Sequence, residues 1–387
     1  MEEKDLNIEE QLEREEQNPE ARDLHTEEFL VNMGPQHPST HGVCRLQLTM
    51  DGEVIVKVEP YIGYLHRAIE KICENRVYNQ ITPFMDRFEY VSSMLADWVY
   101  ALCMERIGQI EVSPRAEHLR IIFGELQRIA SHLIYWGVFG MDLGAFTPFL
   151  YGLREREMIM DLFEETCGQR LTYNYIRIGG VSQDIKPGFE QKCRKFTGYM
   201  RQVLEDYEAL LNENPIFLSR TKGIGIAPPD LSIAYGVSGP SLRASGVNWD
   251  VRKDDPYGYY DKFEFDIPKG RNYDTWDRYQ ARVIEMREST KLIDQALEGL
   301  PEGDPTFKVR ASFKLPEGEH YARIESSRGE MGCYIVSQGE KKPYRLKLRG
   351  SSFNNLMIIP EISKGLKIAD LVAIFASYDI VMPEVDR

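Results

Sequence analysis

The chain has 387 residues, of which 42% are apolar and 28% charged, a balance typical of a globular protein with a large core. Its net charge of −14 argues against binding along a nucleic-acid backbone. None of the six cysteines stands in a CxxC pair, which excludes a self-contained zinc ribbon, a typical iron–sulfur motif and a thioredoxin-type site.

The first 25 residues are strongly acidic. They carry ten acids and three bases, a charge of −7 that is half of the total. Such a segment buries too little apolar surface to order itself, so we expect residues 1–25 to form a solvated, disordered tail. No later stretch reaches the roughly 18 uninterrupted apolar residues of a spanning helix, so we expect no membrane crossing by this chain alone.

Residues 26–62 predict a small β domain. "CRLQLTM" and "EVIVKVEPY" alternate around Asp51-Gly52, a hairpin turn signal. The loop before them, "NMGPQHPSTHG", holds His37 and His41, and its prolines oppose a helical HxxxH metal pair. Two interpretations remain open at this point. The imidazoles stabilise a stiff turn, or one of them is held exposed to exchange a proton near neutral pH.

Residues 63–300 predict a helical bundle. The apolar period of 3.6 predicts helices over 86–108, 113–137, 148–167, 188–213 and 276–299. The second should begin with Ser113 as N-cap and Pro114 at the first helical position. Its polar residues predict a buried polar network rather than a metal site: His118, Arg120, Glu125, Arg128 and His132. The segment 215–275 is rich in Gly, Pro, Tyr and Asp with little periodicity, which favours a functional or interface role.

Residues 301–387 predict an α+β region. The stretches "ARIESS", "GCYIVSQG" and "YRLKLRG" are typical of strands, and helical turns follow them. The predicted fold class is therefore α+β, a mainly helical bundle with small antiparallel sheets near the two ends of the chain.

Eight motifs, in chain order, resemble a known family. They are "NMGPQHPSTHG", "GYLHRAIEK", "DRFEYVSSM", "GELQRIASHL", "MDLGAFTPFLYGLRERE", "NYIRIGGV", "DPYGYYDKFEFDIP" and "PYRLKLRGSSFNNL". The family is the 49-kDa or D-type subunit of complex I, the NADH:quinone oxidoreductase, and the resemblance runs from about residue 27 to 387. That family is similar to the large subunit of [NiFe]-hydrogenases, whose CxxC pairs hold the metal centre. Here Val381 and Glu384 stand where the thiolates of the last pair would be, so that centre cannot form.

The resemblance implies a quinone head-group site. Carried over by motif, His41 of "HPSTHG" and Tyr90 of "DRFEY" face the quinone, Asp142 of "MDLGAF" pairs with His41, and His37 shapes the loop. Reduction of quinone to quinol consumes two electrons and two protons, and a histidine and a tyrosine can each hydrogen-bond a carbonyl oxygen and yield a proton. Asp142 would hold the His41 tautomer and stabilise its imidazolium.

The resemblance also implies where electrons enter. They come from a [4Fe–4S] cluster in a neighbouring subunit, and Arg67 and Arg87 match arginines near that cluster. Many members have a histidine beside the cluster where "QRLTYNYIRIGG" has Thr172. Because threonine cannot take up a proton when the cluster is reduced, we expect a lower, less pH-dependent cluster potential, suited to a quinone such as menaquinone.

The implied setting is the peripheral arm of a proton-translocating respiratory complex, on the cytoplasmic side of the cell membrane. Implied partners are the B-type Fe–S, C-type 30-kDa, ferredoxin-like I-type and membrane H-type subunits, with NAD and FMN on other subunits and no cofactor or metal held by this chain alone. Two alternatives are a purely structural scaffold subunit and a membrane-bound hydrogenase subunit, which the missing CxxC pairs oppose. The sequence leaves the electron donor open.

Overall fold

The structure, a computed structural model, describes residues 28–40, 42–307, 309–310 and 313–387. The predicted acidic tail, residues 1–25, lies outside this range. An antiparallel sheet comes first in the order β1-β2-β3, with β1 Phe29–Met33, β2 Arg45–Asp51 and β3 Val54–Tyr61. The turn between β2 and β3 falls at Gly52, whose φ of +58° suits glycine. The predicted hairpin is therefore confirmed.

Helices dominate the middle of the chain, interrupted by a two-strand ribbon. They are α1 Ile69–Cys73, α2 Thr82–Phe88, α3 Ser93–Gly108, α4 Pro114–Asp142, α5 Thr147–Cys167, α6 Phe189–Leu211, α7 Pro215–Ser219, α8 Pro229–Ala234, α9 Gly239–Ala244, α10 Val251–Asp254 and α11 Thr275–Glu298, with β4 Ile176–Arg177 and β5 Gly180–Val181. The Ser113 side chain accepts a hydrogen bond from the Ala116 backbone N–H at 3.3 Å, so the predicted N-cap of α4 is confirmed.

The single helix predicted over 86–108 is wrong at its start. Two helices, α2 and α3, flank a 3₁₀ turn at Tyr90–Ser92, and Glu89 leaves helical geometry with φ −134° and ψ 80°. The Glu89 carboxylate is fully buried against the guanidinium of Arg328, with 3.1 Å between Oε1 and Nη1. This tertiary ion pair overrides the local helical pattern. The predicted end at Gly108 is confirmed.

The helices α4 and α5 form a closely packed antiparallel hairpin. A Cβ placed on Gly152 of α5 would lie 2.6 Å from the backbone oxygen of Leu133 in α4. Glycine at this position therefore lets the two backbones approach more closely than any side chain allows. On another side, α4 packs against α11.

The polar network predicted on α4 divides into separate parts. Arg120 bonds to Glu105 of α3, with 3.0 Å between Nη1 and Oε2. Arg128 pairs with Glu125 one turn earlier, with 3.2 Å between Nε and Oε2. The remaining two residues have other partners, His132 Nε2 meeting Glu285 Oε2 at 3.0 Å and His118 Nδ1–H donating to the Pro114 carbonyl at 2.8 Å. Glu125, Arg128 and His132 nevertheless belong to one buried network. Ion pairs link them through four further residues, Arg252, Asp250, Arg243 and Glu285. The predicted network is therefore confirmed for these three residues, while Arg120 and His118 bond outside it, and burial is confirmed for all five.

A second antiparallel sheet and short helices complete the fold. The sheet runs β6 Gly318–Ser326, β7 Gly329–Ser337 and β8 Arg345–Arg349, followed by α12 Ser351–Met357, α13 Ile359–Ser363, α14 Ile368–Ser377 and α15 Met382–Asp386. The apolar face of the first sheet shares a core with these last helices. Ile55 of β3 donates its N–H to the Leu366 carbonyl at 2.9 Å and accepts from Gly365 N–H at 2.8 Å. The α+β fold class is confirmed.

None of the helices in the described residues is long and apolar enough to cross a membrane.

Candidate functional site

The loop that joins β1 to β2 carries the two predicted histidines. His37 is exposed, and its Nδ1 accepts a hydrogen bond from the Ser39 backbone N–H at 3.2 Å. The hydroxyl of the fully buried Thr40 donates to the His37 carbonyl at 2.8 Å, which closes a short 3₁₀ turn. His41 lies outside the described residues. The loop thus has a tightly bonded turn directly before the predicted proton donor.

The loop is backed by the last helices of the chain. A Cβ on Gly42 would lie 3.5 Å from Cγ of Met382 in α15. Helix α14 contacts both α4 and the turn Pro38–Thr40. The loop therefore rests on elements about 330 residues later in sequence.

Tyr90 projects from the 3₁₀ turn between α2 and α3. Its side chain is 41% exposed, while its neighbours Glu89 and Val91 are buried. The pKa of Tyr90 lies above its ordinary value because its environment is partly withdrawn from water, and nearby Arg328 opposes that effect. The phenol is therefore protonated at neutral pH and reachable from outside.

A buried ion cluster lies behind Tyr90. Arg328, in the turn between β6 and β7, contacts the Glu89 carboxylate and the Asp379 carboxylate, the latter with 3.3 Å between Nη2 and Oδ2. Burial raises the pKa of Glu89 to about 7, although Arg328 lowers it. The cluster therefore holds a carboxyl group poised to change protonation near neutral pH.

Glu384 of α15 also belongs to this region. Its carboxylate accepts hydrogen bonds from the Ser351 N–H at 2.6 Å and hydroxyl at 3.1 Å, and from both the N–H and the hydroxyl of Ser352. These donors are the first residues of α12, so the carboxylate caps a helix N-terminus. Val381 is buried at the position of the other expected thiolate. Within the described residues, no three metal-binding side chains are grouped so that they could hold an ion.

The two predicted arginines are joined directly. Arg67 donates from Nη2 to the Arg87 carbonyl at 2.7 Å, and Arg87 donates from Nη1 to the Pro83 carbonyl at 2.7 Å. Both side chains are exposed. Because Tyr90 follows Arg87 by three residues, these groups share one edge of the molecule.

The loop that contains Thr172 is hydrogen-bonded to α2 and α3. The Asp86 carboxylate accepts from the backbone N–H groups of Tyr173 and Asn174, each at 3.1 Å, and the Ser93 hydroxyl donates to the Leu171 carbonyl at 2.9 Å. Thr172 is half-buried between these anchors. The structure thus joins Arg67 to Arg87 and bonds the segment around Thr172 to α2, the helix that carries Arg87.

Asp142 differs from the expectation. The predicted helix ended at residue 137, but α4 extends to Asp142, which is its last residue and is only partly buried. The helix continues to this point because the N–H groups of Leu143 and Gly144 bond back to carbonyls of Phe139, Gly140 and Met141.

Sequence reasoning missed Arg328 and Asp379. An arginine after two serines and before a glycine, as Arg328 is, reads as an exposed turn residue. Arg328 meets Glu89 across 239 residues of chain, and Asp379 meets Arg328 across 51, so no local spacing signals the cluster. Glu89 inside "DRFEY" carried the only available signal, an acid that interrupts an otherwise helical pattern.

Comparison with known proteins agrees with the motifs. A family model described as the 49-kDa subunit of the respiratory-chain NADH dehydrogenase matches residues 142–387. The chain is 51% identical over 364 residues to the D-type subunits of NADH-quinone oxidoreductase from Bacillus mycoides, Bacillus anthracis and Bacillus cytotoxicus. Each alignment covers 94% of this chain and all of the relative. The chain belongs to the family of the 49-kDa subunit of the respiratory-chain NADH dehydrogenase.

Proposed function

We propose that this chain is the subunit of a complex I-type NADH:quinone oxidoreductase that forms the quinone head-group site. Its place is in the peripheral arm, on the cytoplasmic side of the membrane, where quinone reduction is coupled to proton translocation. Its partners are the B-type, C-type, I-type and H-type subunits. The names of the relatives, all D-type subunits of an NADH-quinone oxidoreductase, support this assignment.

The observation that carries the proposal is the setting of Tyr90. Its phenol is exposed on a rigid turn, three residues from Arg87 and in front of the buried Glu89–Arg328–Asp379 cluster. A quinone carbonyl needs a hydrogen-bond donor that can also yield a proton, and a protonated phenol in a partly desolvated site supplies both.

The other residues have complementary roles in this proposal. His41 donates to the opposite carbonyl, Asp142 fixes the tautomer of His41, and His37 shapes the loop. The [4Fe–4S] cluster of the neighbouring subunit supplies the electrons. Arg67 and Arg87 place positive charge on the edge that faces this cluster, and Thr172 offers no protonatable imidazole at its own position.

The test is Tyr90→Phe in the assembled complex. Loss of one proton donor should lower quinone reductase turnover by roughly 10²–10⁴-fold, while the EPR signal of the neighbouring cluster stays unchanged. Tyr151→Phe is the matched control, because Tyr151 is similarly exposed, at 40%, on α5. Full turnover of Tyr90→Phe would favour the scaffold alternative.

A further inference from the structure

The segment 62–68, between β3 and α1, carries Arg67 and has little support from its own backbone. It contributes one tight turn, in which the His66 N–H donates to the Gly63 carbonyl at 3.2 Å. Tyr64 is 50% exposed and Gly63 has a φ of +107°. A segment of this kind keeps one geometry when other parts of the molecule hold it.

Asp386 of α15 supplies that support. Its Oδ1 accepts from the Gly63 N–H at 2.8 Å, and its Oδ2 accepts from the Leu65 N–H at 2.7 Å. The Asp386 backbone carbonyl accepts from His66 Nδ1–H at 2.7 Å. Asp386 is 7% exposed, so these charge-assisted bonds are shielded from water. Three positions of the turn are thereby fixed from one residue.

The bonds to Asp386 set the backbone from which Arg67 projects. The head of Arg67 has its own contact, the bond from Nη2 to the Arg87 carbonyl. The Arg67 side chain is therefore held at two points. Asp386 fixes the backbone before it, and the Arg87 carbonyl accepts a hydrogen bond from its guanidinium. Without the carboxylate, the exposed side chain would keep the tip contact alone, and long arginine side chains lose such contacts readily to water.

We propose that Asp386 is a positioning residue, which holds the positive charge of Arg67 at a fixed place beside the neighbouring subunit's iron–sulfur cluster. The proposal rests on the proposed function, in which Arg67 lies near that cluster. A fixed cation beside a cluster favours its reduced form, and net charge is one of the factors that set cluster potentials. Displacement of Arg67 should therefore lower the potential.

The experiment compares Asp386→Ala, Asp386→Asn, Arg67→Ala and the double variant Asp386→Ala/Arg67→Ala in the assembled complex. The readouts are the midpoint potential and EPR line shape of the cluster, and hydrogen exchange of the peptide spanning 61–68. Glu70→Gln is the control, because Glu70 bonds to Arg345, Lys347 and the Leu348 N–H but to no residue of 62–67.

We expect Asp386→Ala and Arg67→Ala to lower the potential by similar amounts, and the double variant to lower it no further. Exchange in 61–68 should be at least roughly tenfold faster in Asp386→Ala, because that is the factor for each of the two charge-assisted bonds that this variant loses. Glu70→Gln should change neither the potential of the cluster nor the exchange rate of residues 61–68. Asp386→Asn keeps one acceptor oxygen, so its potential and its exchange rate should lie between those of wild type and Asp386→Ala. If Asp386→Ala does not assemble, Asp386→Asn provides the test.

Two outcomes overturn the inference and are distinguishable. If Arg67→Ala lowers the potential and the Asp386 variants do not, Asp386 does not position Arg67, and the proposed function stands. If Arg67→Ala itself leaves the potential unchanged, the placement of Arg67 beside the cluster fails, and the inference fails with it.

Discussion

The neighbouring residues Glu89 and Tyr90 point in opposite directions from one turn. Glu89 points into the protein and bonds to Arg328, while Tyr90 points outward. Glu89 leaves helical geometry at the end of α2, and the 3₁₀ turn that follows begins with the exposed Tyr90. A single residue thus sets both the buried charge and the orientation of the exposed phenol.

The raised pKa of Glu89 predicts a pH-dependent stability. Between its ordinary pKa of 4.5 and about 7, the folded chain holds a proton that the unfolded chain has released. The contribution of Glu89 to the free energy of unfolding is therefore fully present below pH 4.5 and is lost as the pH rises through 7. Relative to wild type, Glu89→Gln should become more stable with rising pH, by at most about 1.4 kcal/mol per pH unit.

Denaturant unfolding of the purified chain, at pH values from about 5 to about 7, measures this difference in the free energy of unfolding. Glu361→Gln, at an exposed position of α13, should follow the wild-type curve. Parallel curves for Glu89→Gln and wild type would show that the Glu89 carboxyl does not take up a proton on folding.

Asp142→Asn should slow quinone reduction without disturbing the fold. The amide keeps the size of the side chain but cannot stabilise an imidazolium at His41, so turnover should fall by roughly 10²–10⁴-fold if proton delivery limits it. Turnover of the assembled complex is the measurement, with cluster EPR as the check on integrity. Asp161→Asn, on the exposed face of α5 where Asp161 pairs with Arg170, should keep full turnover. Normal turnover of Asp142→Asn would remove Asp142 from the mechanism.

At the scale of elements, the contact between α4 and α5 depends on glycine. The Cβ position of Gly152 is 2.6 Å from the Leu133 carbonyl oxygen, a backbone atom that cannot rotate away. Close approach of these helices brings the C-terminal end of α4, with Asp142, to its place in the fold. The packing of the pair is therefore linked to the geometry of the candidate site.

Gly152→Ala should destabilise the protein although alanine is the better helix former. Helix propensity favours the substitution by about 1 kcal/mol, but forcing apart packed backbones costs about 1–3 kcal/mol. Gly198→Ala in α6 is the matched control, because no atom lies within 4 Å of its Cβ position, and it should stabilise by up to about 1 kcal/mol. The measurement is the denaturant midpoint of each variant relative to wild type. A higher midpoint for Gly152→Ala would contradict close packing of α4 and α5.

At the scale of the whole molecule, the sequence predicts best what is local. The periodic stripe of Leu119, Ile122 and Leu126 gave α4, and the turn at Asp51-Gly52 gave the first hairpin. The same reasoning failed at Glu89, because its partner Arg328 is 239 residues away. Local pattern carries no information about such pairs.

The candidate site follows the same rule. Arg87 and Tyr90 were placed together by one short motif, whereas the bond between Arg67 and Arg87 spans 20 residues and the support from Asp386 spans more than 320. The family motifs identified Arg67, Arg87 and Tyr90, but only the three-dimensional structure identifies the residues that hold them in place. Supporting residues have no chemical signature of their own, because any carboxylate can accept two backbone N–H groups.

The shared core of the first sheet and the last helices has a consequence for biosynthesis. Ile55 of β3 pairs with Leu366, so the sheet and the loop in front of it lack their packing partners until some 310 further residues have been made. At about 5–20 residues per second, the ribosome takes on the order of 15–60 s to supply them. During that time the apolar face of the hairpin is exposed on the nascent chain and is a natural target for chaperones. A chain that ended before α14 would contain every motif up to Asp142, but it would lack the helices against which the loop between β1 and β2 packs.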